Sequence, residues 1–190
     1  MSKIVAVSCS PSENDSSTCI LDAFLDGAMG LSTNIVTLHK PVKYKSLTDC
    51  HRCMGCKKND RCVINDDVRD LLDEIKGSDC VVFATPVFFN GPSALYKIIE
   101  DRMFSFLDAD GNSMIEKGKK AVLIITANHP DNDLMRISEL ISDNLKLFGF
   151  DMLGTFVYTD DFGNKPASKD HEIQAKAKDL GKKMRNTPVV

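Results

Sequence analysis

The 190-residue chain carries 24 Lys and Arg against 27 Asp and Glu, a formal net charge of -3. That near balance argues against a nucleic-acid or anionic-membrane partner, and the length suits a single domain (1–190) that can bury its own core. No apolar run approaches the roughly 20 residues that span a bilayer, so a cytoplasmic chain is expected, where seven cysteines favour metal or redox chemistry over a disulfide framework.

The opening MSKIVAVSCS lacks the length and basic flank of a signal peptide, and Ile4 to Val7 reads as a β-branched strand buried on both faces. A polar loop, Ser8 to Ser17, leads to an amphipathic helix with Ile20, Leu21, Phe24 and Leu25 inward. Asn34 to Leu38 is a second strand, and 41–62 has no periodicity. Asn65, Asp66 and Asp67 cap a helix with Val68, Leu71, Leu72 and Ile75 on one face and Gly77 at its end. Cys80 to Ala84 is a third buried strand, and Ser93 opens a helix with Leu95, Ile98, Ile99 and Met103 inward. Ala121 to Thr126 is a fourth strand, Leu134 to Leu147 a helix, Thr155 to Tyr158 a fifth strand and Lys169 to Met184 the last helix. Strands alternating with helices in this way imply right-handed parallel β-α-β units, with helices covering both faces of the sheet.

Three loops leave the ends of buried strands, and a fourth, 41–62, interrupts the pattern. The 41–62 loop holds Cys50, Cys53, Cys56 and Cys62, a C-x2-C-x2-C-x5-C run. Close thiolates with two-residue gaps suit a four-iron four-sulfur (4Fe-4S) cluster or a tetrahedral zinc, and a redox disulfide is a third reading. The cations His51, Arg52, Lys57, Lys58 and Arg61 would offset thiolate charge in either metal site, so they do not discriminate.

The loop after the first strand, Ser8 to Thr18, sets hydroxyls, an amide and free N–H groups at a helix N-terminus. It reads as a neutral anion site or as an ordinary Ser or Thr helix cap. It has neither a dinucleotide G-x-G-x-x-G nor an NTP P-loop. The loop after the third strand reads TPVFFNGPS, and the loop after the fourth, Thr126 to Pro130, includes His129, read as a surface residue. Cys19 and Cys80 are expected on core faces, and His39 and His171 at the surface.

TPVFFNGPSALYKIIEDR resembles the TP-V-[YF]-F…S…LK…DR segment of flavodoxin-like FMN reductases. SCSPSENDSST is similar to their G-S-P-R…N-T phosphate loop, with Cys9 in place of the glycine and Ser12 in place of the arginine. The cysteine run followed by V-x-x-D-D resembles the iron–sulfur flavoproteins within that group. The resemblance implies a flavodoxin-like three-layer α/β sandwich, with a five-stranded parallel sheet in the order 2-1-3-4-5 and the cysteine-rich loop after strand 2. It implies FMN, its phosphate held by Ser10, Ser12, Asn14, Ser16, Ser17 and Thr18, and its ring lined by Pro86, Val87, Phe88, Phe89, Asn90 and Gly91. A 4Fe-4S cluster on the four cysteines would then exchange electrons with the flavin, and no side chain stands out as an acid or base because the chemistry belongs to the cofactor. Expected partners are ferredoxin or NAD(P)H, a small-molecule acceptor and further copies of the chain in a homodimer or homotetramer. The competing readings are an NAD(P)H-dependent FMN or quinone reductase without a cluster, and a zinc-stabilised binding protein.

Overall fold

The computed structural model describes residues 1–30, 33–129 and 133–184. Five parallel strands form the sheet: β1 (Lys3–Ser8), β2 (Ile35–His39), β3 (Cys80–Phe88), β5 (Lys120–Ala127) and β6 (Asp151–Thr159), in the order β2-β1-β3-β5-β6. This is the expected order 2-1-3-4-5. A two-residue strand, β4 (Gly91–Pro92), folds back antiparallel on the end of β3.

Alternation along the central strands sends successive side chains to opposite faces. Val5, Val7, Val81, Phe83, Leu123 and Ile125 meet one set of helices: α3 (Asp67–Lys76), α4 (Ala94–Arg102) and α5 (Leu134–Leu147). Ile4, Ala6, Val82, Ala84, Val122 and Ile124 meet α1 (Ser16–Met29) and α6 (His171–Lys183). The latter two helices pack closely enough that a Cβ on Gly27 would lie 2.0 Å from the Lys178 carbonyl oxygen. A side chain caps the N-terminus of each of these five helices: Asp15, Asp66, Ser93, Asp133 and Asp170. Each such cap is worth about 1 kcal/mol. The 41–62 segment is a long crossover from the edge strand β2, with a single 3-10 turn at Pro41–Lys43 and one short α-helix, α2 (Cys56–Asn59). Among the described residues, no helix is long and apolar enough to cross a membrane.

Several expectations are corrected. On α4, Leu95, Ile98 and Ile99 pack against the core as expected, the first two half-buried, but Tyr96, Glu100 and Arg102 are buried as well. The helix turns a partly polar face inward because its buried polar groups satisfy one another and their neighbours: the Glu100 carboxylate accepts hydrogen bonds from Tyr96 Oη, Lys97 Nζ and Asn144 Nδ2. Cys80 is fully buried as expected, but Cys19 is half-exposed at the rim of its core. His39 is not a simple surface residue. Its Nε2 lies 3.0 Å from a Glu74 carboxylate oxygen, and its Nδ1 lies 2.8 Å from Tyr44 Oη. The third strand runs four residues further than its apolar core suggested, because Thr85 and Pro86 still pair with Ile125 and Thr126 of β5.

Candidate functional site

At the carboxyl edge of the sheet, the loops after β1 and β3 are tied together. The Cys9 N–H donates to the Ala84 carbonyl at 2.8 Å, and the Ser93 hydroxyl donates to the Cys9 carbonyl at 2.7 Å. Ser93 also caps α4 and meets the Thr85 hydroxyl, so one small residue fixes the first loop, the end of β3 and the start of a helix. Loops at this edge, beside the point where strand order reverses, are where open α/β sheets place ligands.

Within the first loop, Ser10, Ser16, Ser17 and Thr18 are buried, while Ser12 and Asn14 are exposed. The helix cap here is Asp15, not a serine or threonine. Its carboxylate accepts the Thr18 N–H at 2.9 Å and the Ser17 hydroxyl at 2.9 and 3.0 Å. Among the described residues, the backbone N–H groups of Ser10, Glu13, Ser16 and Ser17 have no acceptor within the protein. That donor set suits an anion at the positive end of a helix, with one carboxylate already on it. Lys43, from the turn after β2, forms an ion pair with Glu13 and brings a cation to the rim of the loop.

The ring-lining segment divides. Val87 packs into the core and has only its backbone to offer, and Pro86 is half-buried in β3. Phe88 and Phe89 are both exposed, Phe89 completely. Phe89 and Asn90 both adopt positive φ (48° and 62°), making the tight turn that reverses β3 into β4. That turn throws the Phe89 ring off the sheet. The third loop brings His129 edge-on to Phe162, ring centroids 5.1 Å apart, and the Phe162 N–H donates to the Asn128 carbonyl. Pro130 lies outside the described residues. A cavity of about 550 Å³ lies beside α1, where Asn14, Ser16 and Thr18 share its lining with the carboxylates of Glu13, Asp15, Asp22, Asp26 and Asp160. Its carboxylates disfavour a phosphate, and none of the 86–91 segment reaches it.

The cysteine loop forms a second centre. All four cysteines, Cys50, Cys53, Cys56 and Cys62, line one pocket together with Arg102 and Phe104. No disulfide joins any of the seven cysteines, and among the described residues no three His, Cys, Asp or Glu side chains are gathered as metal ligands. Between the cysteines, Arg52 and Met54 adopt left-handed backbone (φ 51° and 59°), which costs a non-glycine residue on the order of 1–3 kcal/mol and gathers at functional sites. Among the described residues, the N–H groups from His51 to Gly55 find no acceptor in the protein. Cysteines on a turn that exposes successive amides match the chemistry of a cluster, whose sulfurs accept such hydrogen bonds.

Arg102, fully buried at the end of α4, holds this loop at its neck. Its two terminal nitrogens grip the Asp66 carboxylate at 2.8 and 2.9 Å and also donate to the Thr48 and Ile64 carbonyls, at 2.8 and 3.4 Å. Its Nε donates to Cys62 Sγ at 3.1 Å. Thr48 precedes the first cysteine and Ile64 follows the last, so one guanidinium closes both ends of the loop. Further out, Lys57 donates to the Phe104 and Leu107 carbonyls and lies 3.5 Å from the centre of the Phe104 ring. Sequence reasoning missed these roles. Asp66 was read only as a cap, which it is, and an arginine in the last turn of a helix ordinarily faces water.

Residues 2–162 match the model of the NADPH-dependent FMN reductases. The chain belongs to that family. An iron–sulfur flavoprotein of Archaeoglobus fulgidus is 26% identical over 96% of the chain and 78% of its own length. One from Methanocaldococcus jannaschii is 31% identical over 53% of the chain, a match spanning only 51% of that relative. Among solved structures, an FMN-dependent NADH-azoreductase of Bacillus anthracis in complex with FMN superposes with a TM-score of 0.73 at 12% identity. It is covered over its whole length by 98% of the chain. An NAD(P)H:quinone oxidoreductase of Methanothermobacter marburgensis gives 0.70 at 16% identity, with 98% of each chain covered. Both confirm the flavodoxin-like sandwich.

Burial raises the Asp66 pKa, but the hydrogen bonds and charge of Arg102 and the backbone amides of Arg69 and Thr48 more than offset it, so the net shift is downward. A carboxyl group lowered in the folded state adds stability that is complete above its unfolded value, about 3.9, and is lost as pH falls through the lower folded value. Asp66→Ala leaves Arg102 buried without its partner, and a loss of about 3–5 kcal/mol is expected in urea unfolding at pH 7. The gap between wild type and variant should narrow as pH falls from the unfolded value through the lower folded one. A loss under 1 kcal/mol at pH 7 would contradict this role.

Proposed function

We propose that this chain is an FMN-dependent oxidoreductase that passes electrons between FMN at the carboxyl edge of the sheet and a 4Fe-4S cluster in the cysteine pocket. The observation that carries the reading is the pairing, on one α/β frame, of a free N–H cradle at the start of α1 with a strained, four-cysteine pocket at the end of α4. FMN, when bound, supplies two-electron and one-electron chemistry, and the cluster supplies one-electron storage. Ser10, Ser16, Ser17 and Thr18 would hold the phosphate, with Ser12 and Asn14 at the rim. Pro86, Val87, Phe88, Phe89, Asn90 and Gly91 would border the ring, their backbone holding its polar edge and the two phenylalanines shielding it from water. Cys50, Cys53, Cys56 and Cys62 would ligate the cluster. The electron donor would be ferredoxin or NAD(P)H, and the acceptor a small molecule.

In one chain, α4 separates the two centres by about 13 Å along its nine residues. A homodimer or homotetramer would bring one subunit's cluster to another's flavin, and the exposed Phe88, Phe89 and Met54 offer apolar surface at both centres. Sedimentation of protein loaded with both cofactors should show an oligomer; a loaded monomer would count against that arrangement.

Replacing Cys53 by serine in anaerobically purified protein should lower bound iron at least tenfold while leaving FMN at about one per chain. Zinc in place of iron in the wild type, without flavin, would instead favour the binding-protein reading. Flavin without iron, rapidly bleached by NAD(P)H, would favour a cluster-free FMN or quinone reductase.

Asp15 bears on how tightly FMN is held, because its carboxylate already sits on donors a phosphate would use. Asp15→Asn keeps an acceptor for the Thr18 N–H and removes the charge. Fluorescence titration should show FMN binding about tenfold tighter, a gain of about 1.4 kcal/mol, with riboflavin unchanged. An equal effect on both flavins would place the phosphate elsewhere.

A further inference from the structure

A buried guanidinium that points one N–H at a cysteine sulfur has more than a structural use. Arg102 has five N–H groups, and each meets an acceptor: two Asp66 oxygens, two backbone carbonyls and Cys62 Sγ. The two terminal nitrogens suffice to clamp the loop and hold Asp66. The Nε–H is therefore free to face the fourth cysteine, at 3.1 Å, from a fully buried side chain toward a half-buried sulfur. Asp66 faces the same guanidinium from the opposite side, itself fixed by the Arg69 and Thr48 amides. A charge-assisted hydrogen bond gains strength where a buried donor has lost its water, and the opposed carboxylate sets how much of the cation's charge Cys62 meets.

We infer that Arg102 is a positioning residue that sets the reduction potential of the cluster through its Nε–H bond to Cys62, with Asp66 as the counter-charge that limits the effect. This inference rests on the cluster reading above. A reduced cluster carries one more negative charge than an oxidised one, so a donor to its ligand sulfur stabilises the reduced form and raises the potential. Removing the donor lowers it. Removing the counter-charge leaves the cation uncompensated and raises it.

The test compares anaerobically purified wild type, Arg102→Lys and Asp66→Asn by redox titration, with iron, sulfide and flavin assayed in each. Arg102→Lys keeps the positive charge opposite Asp66 but lacks the planar fork, and its midpoint should fall by about 59 mV, a tenfold shift in a one-electron equilibrium. Asp66→Asn keeps the acceptors for the Arg69 and Thr48 amides, and its midpoint should rise by a similar amount. Opposite shifts at wild-type iron content support the inference. Unchanged midpoints, or shifts of the same sign, overturn it, as does iron lost from both variants with folding and flavin intact, which would leave the pair a role in assembly only. Wild-type protein that binds flavin but no iron overturns the cluster reading and this inference together, whereas iron-replete variants without opposed shifts overturn this inference alone. A second measurement needs no substitution. In wild-type protein labelled with nitrogen-15 at arginine Nε, the reduced cluster should show a coupling to one arginine nitrogen in pulsed EPR, and its absence would also overturn the assignment.

Discussion

The buried pair of Arg102 and Asp66 is the interaction on which the cysteine centre depends. A crossover as long as 41–62, with only a 3-10 turn and one short α-helix, has few apolar contacts of its own to order it. It is held at its base instead, where one guanidinium binds carbonyls on both sides of the cysteine run and a carboxylate that also starts α3. Buried ion pairs of this kind add little net stability over an apolar core, but removing one partner is costly because the other charge remains. Such a pair specifies one arrangement of a loop, as four cysteines lining one pocket require.

The flavin edge is ordered differently. There the sheet supplies rigidity, and Ser93 joins three elements with a single hydroxyl. α4 then runs from Ser93 to Arg102, with one end at the proposed flavin site and the other at the cysteine pocket. The two centres share one short, well-capped helix, so the spacing between them within a chain is fixed by helix geometry. The Asp15 carboxylate is the feature of this edge that departs most from a phosphate cradle, and it makes the affinity for FMN a property of this chain and not only of its fold.

Much of the fold was legible because buried parallel strands leave short β-branched runs: IVAV, CVVFA and AVLIIT all fall within observed strands. The strand order came from the resemblance and not from periodicity. The errors have a common physical source. Periodicity assumes that polar side chains face water, so it could not foresee Glu100 and Arg102 buried with their hydrogen-bonding partners. Nor does any local pattern foresee the left-handed turn at Phe89 and Asn90 that carries the Phe89 ring away from the sheet. The residue types of both centres could be read from the sequence. The groups that organise them, Arg102, Ser93 and Asp15, act through contacts between distant segments that no local pattern records.

The most direct test is anaerobic reductive titration of the purified chain, counting the electrons it takes up while its absorption spectrum is followed. Uptake of about three electrons per chain, two bleaching flavin bands and one a broad iron–sulfur shoulder, is expected of a chain holding both FMN and a 4Fe-4S cluster. Uptake of about two, with flavin bands alone and no iron, would contradict it and leave a cluster-free flavin reductase.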